Sequence, residues 1–181
     1  MICVAYFSGA GHTALLAGAM VAGAGGSGFA KAIDVTAMEP SDWELMDGAQ
    51  AIAFGAPTYM GSTAARFDQF LEEAAATRWD SGAWRDKIAG GFTIASHGSG
   101  DKGVALQRIS TYAAQMGMIW VGQAEIGAPV KPERSGINRD GSWLGLMATS
   151  SRDKTVMVEP GDLETARLYG ERLSMAARRW G

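Results

Sequence analysis

ICVAYFSGAGHT, Ile2 to Thr13, is the stretch that decides how this 181-residue chain folds. Its first half, Ile2-Cys3-Val4-Ala5-Tyr6-Phe7, is an unbroken apolar run, the pattern of a strand buried on both faces. Its second half, Ser8-Gly9-Ala10-Gly11-His12-Thr13, is a polar, glycine-rich turn, and helical spacing begins where it ends. A buried strand feeding directly into a helix is the first half of a βαβ unit, and the rest of the chain repeats it.

The first helix is predicted from Thr13 to Ala22, with Leu15, Leu16, Ala19 and Met20 on one face, and it dissolves in Gly23 to Gly28. Phe29 to Val35 reads as a second strand, more amphipathic and so nearer the rim of the sheet. Ala49 to Gly55 is a third, fully apolar strand, and Ser62 is placed to cap a helix carrying Ala64, Phe67, Phe70, Leu71, Ala74 and Ala75. Lys87 to Ser96 is a fourth strand, and its Gly90-Gly91 pair is read as the close approach of a packed helix. A helix from Gly103 to Met116 turns Leu106, Ile109, Ala113 and Met116 inward, and Met118 to Val121 is a fifth strand. Asp162 is placed to cap a last helix with Leu163, Ala166, Tyr169, Leu173, Ala176 and Trp180 at helical spacing. Gly122 to Gly161 shows no long element beyond a strand-like Thr155 to Val158, which points to a lid or an interface. The chain thus reads as a single α/β domain, residues 1–181, with a doubly wound parallel sheet and helices on both faces.

Composition narrows the function. With 47% hydrophobic and 19% charged residues the chain has enough apolar material for one core, unlike a disordered segment. A formal charge of −3 disfavours a dedicated nucleic-acid binder. The chain opens on an apolar strand with no basic leader, and its longest helical apolar stretch, Ala14 to Ala24, is too short and glycine-rich to span a bilayer. With Cys3 as the single cysteine, a reducing, cytoplasmic setting is expected. Glycine, at 25 residues with no period, needs a positional explanation.

In open parallel sheets ligands bind beyond the carboxyl ends of the strands, so the turns there carry the chemistry. Ser8 to Thr13 can present free helix N–H groups and two hydroxyls to an anion, with His12 the one added charge; an ordinary capped turn explains it equally. Pro57-Thr58-Tyr59-Met60-Gly61-Ser62 after the third strand offers a flat aromatic face, although a turn with an incidental tyrosine also fits. Ser96-His97-Gly98-Ser99-Gly100-Asp101-Lys102-Gly103 opens the helix after the fourth strand, with Asp101 and Lys102 read as a solvated pair. Gly98, Gly100 and Gly103 spell G-x-G-x-x-G with Glu125 downstream, the spacing of a dinucleotide site. The same pattern recurs at Gly23, Gly25 and Gly28 after a helix, where its mechanism cannot operate, so it carries little weight. No G-K-[ST] and no G-x-S-x-G is present, and His12, His97 and Cys3 do not form a metal-ligand spacing. Cys3 is expected to be a buried, inert hydrophobe. Trp180 fits a core-facing stripe, while Trp79, Trp84 and Trp143 lie in loop-like sequence.

Taken together, the loops resemble a flavodoxin-type FMN site, whose fold has strand order 2-1-3-4-5. Within that superfamily the chain most resembles the flavodoxin-like NAD(P)H:quinone oxidoreductases, the Trp repressor-binding protein A family. The matching stretches are Tyr6 to His12, Phe54 to Leu71, Trp79 to Lys87, Ser96 to Gly103, Gly117 to Val121 and Leu163 to Glu171, in order through most of the chain. The resemblance implies FMN as cofactor, with Ser8, Gly9, Ala10, Gly11, His12 and Thr13 on its phosphate. It places Pro57, Thr58, Tyr59, Met60 and Gly61 beside the isoalloxazine, and Ser96, His97, Gly98, Ser99, Gly100, Asp101 and Gly103 along its other edge. It implies NADH or NADPH as reductant, a quinone, free flavin or other small molecule as acceptor, and a homodimer or homotetramer. The chain departs from the family in having only about fifteen residues, Thr36 to Gln50, between strands two and three. It also has Gln115-Met116-Gly117 where the family carries His-His-Gly. Both departures concern the acceptor and the oligomer and leave the FMN loops intact. Two other classes are weighed beside this: a flavodoxin-like electron carrier, which would profit from a stronger acidic field, and a flavin-binding interaction module without turnover. A Rossmann dehydrogenase comes last.

Overall fold

The computed structural model describes residues 1–153 and 155–181. The opening apolar run forms β1 (Ile2–Tyr6) and passes through the glycine turn into α1 (His12–Gly23). There follow β2 (Ala30–Asp34), α2 (Pro40–Gly48), β3 (Ala51–Tyr59), β4 (Ser62–Thr63), α3 (Ala65–Arg78), β5 (Ile88–Ala95), α4 (Lys102–Gln115), β6 (Ile119–Trp120), β7 (Leu146–Thr149) and α5 (Pro160–Trp180). The sheet runs β2-β1-β3-β5-β6, the expected order once the short β4 is set aside, and every pairing along that path is parallel. One face is covered by α1 and α5, packed through Leu16, Ala17, Met20, Ala166, Tyr169 and Leu173. The other is covered by α2, α3 and α4 through Met46, Phe67, Phe70, Leu71, Ile109 and Ala113.

The fifth strand position is split. β6 pairs only with Ile88 and Ala89, and β7 takes over the same side of β5 from Phe92 to Ala95. Gly90 and Gly91 lie between the two. Tyr169 of α5 fills the gap: its hydroxyl accepts the Gly91 N–H at 3.2 Å and donates to the Val121 carbonyl at 2.6 Å. A Cβ at Gly90 would sit 2.6 Å from that hydroxyl, and one at Gly91 would sit 2.6 Å from the Trp120 ring. The glycine pair is therefore a close-approach site, as its sequence suggests, with a helix on one side and a tryptophan on the other.

Several expectations are corrected. Trp180 is 60% exposed, at the end of the 21-residue α5, where it lines an open surface groove with Ile88 and Met175. Leu15 is 42% exposed, one position off the buried stripe of Thr13, Leu16, Ala17 and Met20. Ser62 is not a cap; it pairs with Tyr59 in a hairpin, and α3 starts from an extended Ala64 without a side-chain cap. Asp162 lies inside the first turn of α5, whose N-cap is Glu159. Thr155 to Val158 is a turn with one bridge, Ser150 to Val158, and the strand of that region is β7. Trp84, read as loop-like, is fully buried.

The link from Thr36 to Gln50 contains a helix that the apolar pattern does not reveal. In α2 the buried residues are Asp42 and Met46, so there is no stripe to find. The helix is specified instead by Pro40 at its first turn and by a reciprocal cap between Glu39 and Asp42. Asp47 near its end accepts from Nε and Nη2 of Arg78, at 2.7 and 3.0 Å, and from the indole N–H of Trp84 at 2.8 Å.

Candidate functional site

The three predicted turns meet at the carboxyl end of the sheet, two of them as expected and one rebuilt. In the first, Ser8 Oγ accepts the Ala14 N–H at 3.3 Å, and Gly11 stands at the N-cap of α1 with φ 90° and no side-chain cap. That φ is left-handed, a conformation glycine adopts at no steric cost. Ser8 thus takes the Ala14 N–H, and the N–H groups of His12 and Thr13, which no side chain accepts, are available to an anion.

The second segment is not the turn its sequence suggests. β3 continues through Pro57 and Thr58 to Tyr59, and Pro57 opposite Ile94 is its last rung with β5. Pro57 lacks an N–H and is tolerated where the ladder ends. Met60 and Gly61, with φ 50° and 79°, make the two-residue turn into β4. Positive φ at both positions is the turn that suits strand twist, and methionine is an unusual occupant of the first. Met60 is fully exposed at its tip and Tyr59 half-exposed beside it. Behind them Thr58 and Thr93 hydroxyls meet at 2.7 Å, and Thr93 donates to the Ala56 carbonyl at 2.7 Å. This buried pair ties the ends of β3 and β5 together.

In the third turn, Ser96 to Ser99 is exposed, as is Asp101. Lys102 is not the solvated partner expected for it. It is fully buried, and its ammonium pairs with Asp140 and donates to Thr149 Oγ1 at 2.7 Å and the Ala148 carbonyl at 3.0 Å. A lysine in the first turn of a helix reads as surface until the partner strand is known, and β7 was not legible.

A cavity of about 170 Å³ joins Ser8, Gly9, Ala10, His12, Thr13, Pro57, Thr58, Tyr59 and Ser96. Ile94, Ala95 and Ser150 complete its wall and were missed by sequence reasoning. Ile94 and Ala95 belong to the strand just before a predicted turn. Ser150 follows the unread β7, and no local signal marks it. Gly11, Met60, Gly61 and His97 to Gly100 adjoin this cavity in sequence without lining it; Asp101 and Gly103 border a separate groove with Val104, Trp143, Leu144 and Met147.

The lining has hydroxyls, a helix N-terminus and one imidazole, with no carboxylate. That donor set suits an anion, and Tyr59 offers a planar face at the mouth. Among the described residues no group of three or more His, Cys, Asp or Glu side chains is placed to hold a metal, and no helix is long and apolar enough to cross a membrane. Cys3 is buried in β1, and burial pushes its thiol up to about 11, so it stays protonated at neutral pH. Glu125, the acid a dinucleotide site would need, is tied to Arg134 at 2.5 Å.

Comparison with known proteins gives the family and agrees with the fold. The family described as NADPH-dependent FMN reductase matches residues 42–132. Flavodoxin FldP of Pseudomonas aeruginosa is 41% identical over 174 residues, covering 94% of this chain and 93% of that protein. The solved structure of a WrbA-like flavodoxin from Agrobacterium tumefaciens is 35% identical with a TM-score of 0.78, covering 99% of this chain and 98% of that one. An apo NADH:FMN oxidoreductase shares the fold, with a TM-score of 0.67 at 14% identity over 97% of this chain and 88% of that one.

Proposed function

Because the chain belongs to the NADPH-dependent FMN reductase family of flavodoxin-like proteins, we propose that it is an FMN-containing oxidoreductase. It takes hydride from NADH or NADPH and delivers the electrons to a quinone, free flavin or another small acceptor. The observation that carries this reading is the cavity formed where β1, β3 and β5 end, lined by hydroxyls, an imidazole and the N-terminus of α1. Its donor set fits a flavin phosphate and a polyol chain, and a cavity of about 170 Å³ leaves a flat ring to the open mouth beside Tyr59.

In this reading Ser8, Thr13, His12 and the backbone of Gly9 to Gly11 hold the phosphate. Pro57 to Gly61 and Ser96 to Gly103 flank the ring system. Bound FMN supplies two-electron chemistry between a nicotinamide and the acceptor. The protein supplies position. The Thr58–Thr93 pair fixes the spacing of the two ring-side segments, and the buried Cys3 keeps thiol chemistry out of the exchange. A homodimer or homotetramer would cover the exposed Trp143 and Leu144, and light scattering tests it.

The deciding experiment is anaerobic. Purified protein is loaded with FMN, and NADPH and then NADH are added while flavin bleaching is followed. Reduction within the turnover time, with electrons passed on to a quinone or to free FMN, is the expected result. Protein that takes up no FMN overturns the reading. The relationship to a Pseudomonas flavodoxin favours a second reading, an electron carrier. Bound flavin that ignores both nicotinamides but accepts electrons from a partner reductase selects it.

A further inference from the structure

We propose that Lys102 is a positioning residue that holds the Ser96–Asp101 loop and Ser150 in one frame around the cavity. In its flavin consequence the proposal rests on the function proposed above. Lys102 has no exposed side-chain surface, and Asp140 is 8% exposed. An ammonium has three protons, and each has an acceptor here: the Asp140 carboxylate, Thr149 Oγ1 and the Ala148 carbonyl.

The same cluster engages the hydroxyl, the N–H and the carbonyl of Thr149. Its hydroxyl donates to Asp140 at 2.8 Å, and its N–H donates to Asp162 at 3.2 Å. Arg139 joins at 2.7 Å to Asp162 and at 3.3 Å to the Thr149 carbonyl. Three segments that are remote in sequence, the start of α4, the 139–140 turn and the start of α5, therefore converge on one β7 residue. The next residue, Ser150, donates its N–H to the Ala95 carbonyl at 2.9 Å, and both line the cavity.

On its other side Lys102 anchors the loop. Its N–H donates to the Ser99 carbonyl at 3.2 Å. Gly100 and Asp101 before it are both left-handed, φ 53° and 54°, so the loop enters α4 through two successive left-handed positions, the second without glycine's freedom. A chain held that way persists only where its ends are fixed. A cation in the first turn of a helix is also opposed by the helix dipole. The position is therefore poor for helix formation and is offset by the Asp140–Thr149 contacts, which points to the tie rather than the helix as its purpose.

The test uses the FMN-loaded protein and the double variant Lys102→Met/Asp140→Asn, which removes both charges so that neither is left buried alone. Expected are at least tenfold faster hydrogen exchange at residues 96–101, at least tenfold weaker FMN binding, and a changed visible circular dichroism of the bound flavin. Asp47→Asn, which loosens a polar cluster on α2 away from the cavity, is expected to lower stability and leave FMN affinity and the flavin spectrum as they were. Should the double variant not fold, Thr149→Val, which keeps the ion pair and the Ala148 contact but removes the hydroxyl that joins Lys102 and Asp140 to Thr149, is expected to shift the same readouts in the same direction by a smaller factor. Unchanged exchange at 96–101 overturns the tie. Faster exchange with wild-type FMN affinity and spectrum overturns its role at the flavin. Wild-type protein that takes up no FMN overturns the proposed function and the flavin consequence, while the exchange result still decides the tie.

Discussion

The tyrosine that bridges the split strand is open to a double-mutant cycle. In Gly90→Ala the new methyl would stand 2.6 Å from the Tyr169 hydroxyl and 2.8 and 3.0 Å from the Leu173 methyls. The leucine ends can turn aside, but the hydroxyl cannot move without giving up Gly91 N–H and Val121 C=O. Overpacking of this kind costs about 1–3 kcal/mol. A strained or broken hydroxyl contact adds about 1–3 kcal/mol for the group left unsatisfied. We therefore expect Gly90→Ala to cost roughly 2–5 kcal/mol, against about 0.5 kcal/mol gained from the stiffer unfolded chain. Tyr169→Phe removes the hydroxyl and leaves the same two backbone groups unpaired, at about 2–4 kcal/mol. In the double variant the methyl occupies space that the hydroxyl vacated. Its cost should fall short of the sum by roughly 1–3 kcal/mol. The assay is urea unfolding of FMN-free protein, so that ligand linkage does not enter. Single costs that add to within about 0.5 kcal/mol in the double variant would refute the bridge as the reason for Gly90.

Three further outcomes are expected. Gly11→Val must hold a branched side chain at φ 90° with Met157 Cε 2.9 Å from its Cβ. About 1–3 kcal/mol of strain predicts an FMN dissociation constant raised roughly five- to a hundredfold, read by flavin fluorescence. Cys3 should resist alkylation in native protein and react after unfolding. Its unfolded thiol titrates near 9 and its buried one near 11, so the folded chain holds the extra proton across that window. Stability should therefore fall as pH rises from 9 to 11, by about 2 kcal/mol more than in Cys3→Ala. Asp47→Ala strips the buried Trp84 indole N–H and Arg78 of their shared acceptor, and thermal or urea unfolding should show a loss of about 1–3 kcal/mol.

What the sequence announced depended on how much of each element was buried. β1, β3 and β5 are covered on both faces, so their apolar runs are continuous and their order follows from the crossovers. The loops after them could be located because a strand end and a helix start bracket each one. The losses have a common cause in tertiary partners. α2 is held by Asp42, Asp47 and a cap rather than by an apolar face, and β7 is too short for any period. Lys102 looked solvated because Asp140 and Thr149, its partners, lie some forty residues away in the unread segment. Ser150 was lost with them. Pro57 to Tyr59 reads as a turn because proline and exposed tyrosine are turn-like locally; only the pairing with β5 makes it strand.

The divided fifth strand has a consequence for how the molecule meets its neighbours. A sheet that ended in one continuous five-residue strand would offer its free backbone groups as a template for another chain, the usual route to strand addition and aggregation. Here that margin is broken into pieces of two and four residues, which flank the level of the Gly90-Gly91 pair on β5. The Trp120 indole N–H, reaching the Leu144 carbonyl at 2.8 Å, closes the join. On the opposite margin, β2 carries Lys31, half-exposed and paired with Asp42. Both rims are thus poor templates for extending the parallel sheet.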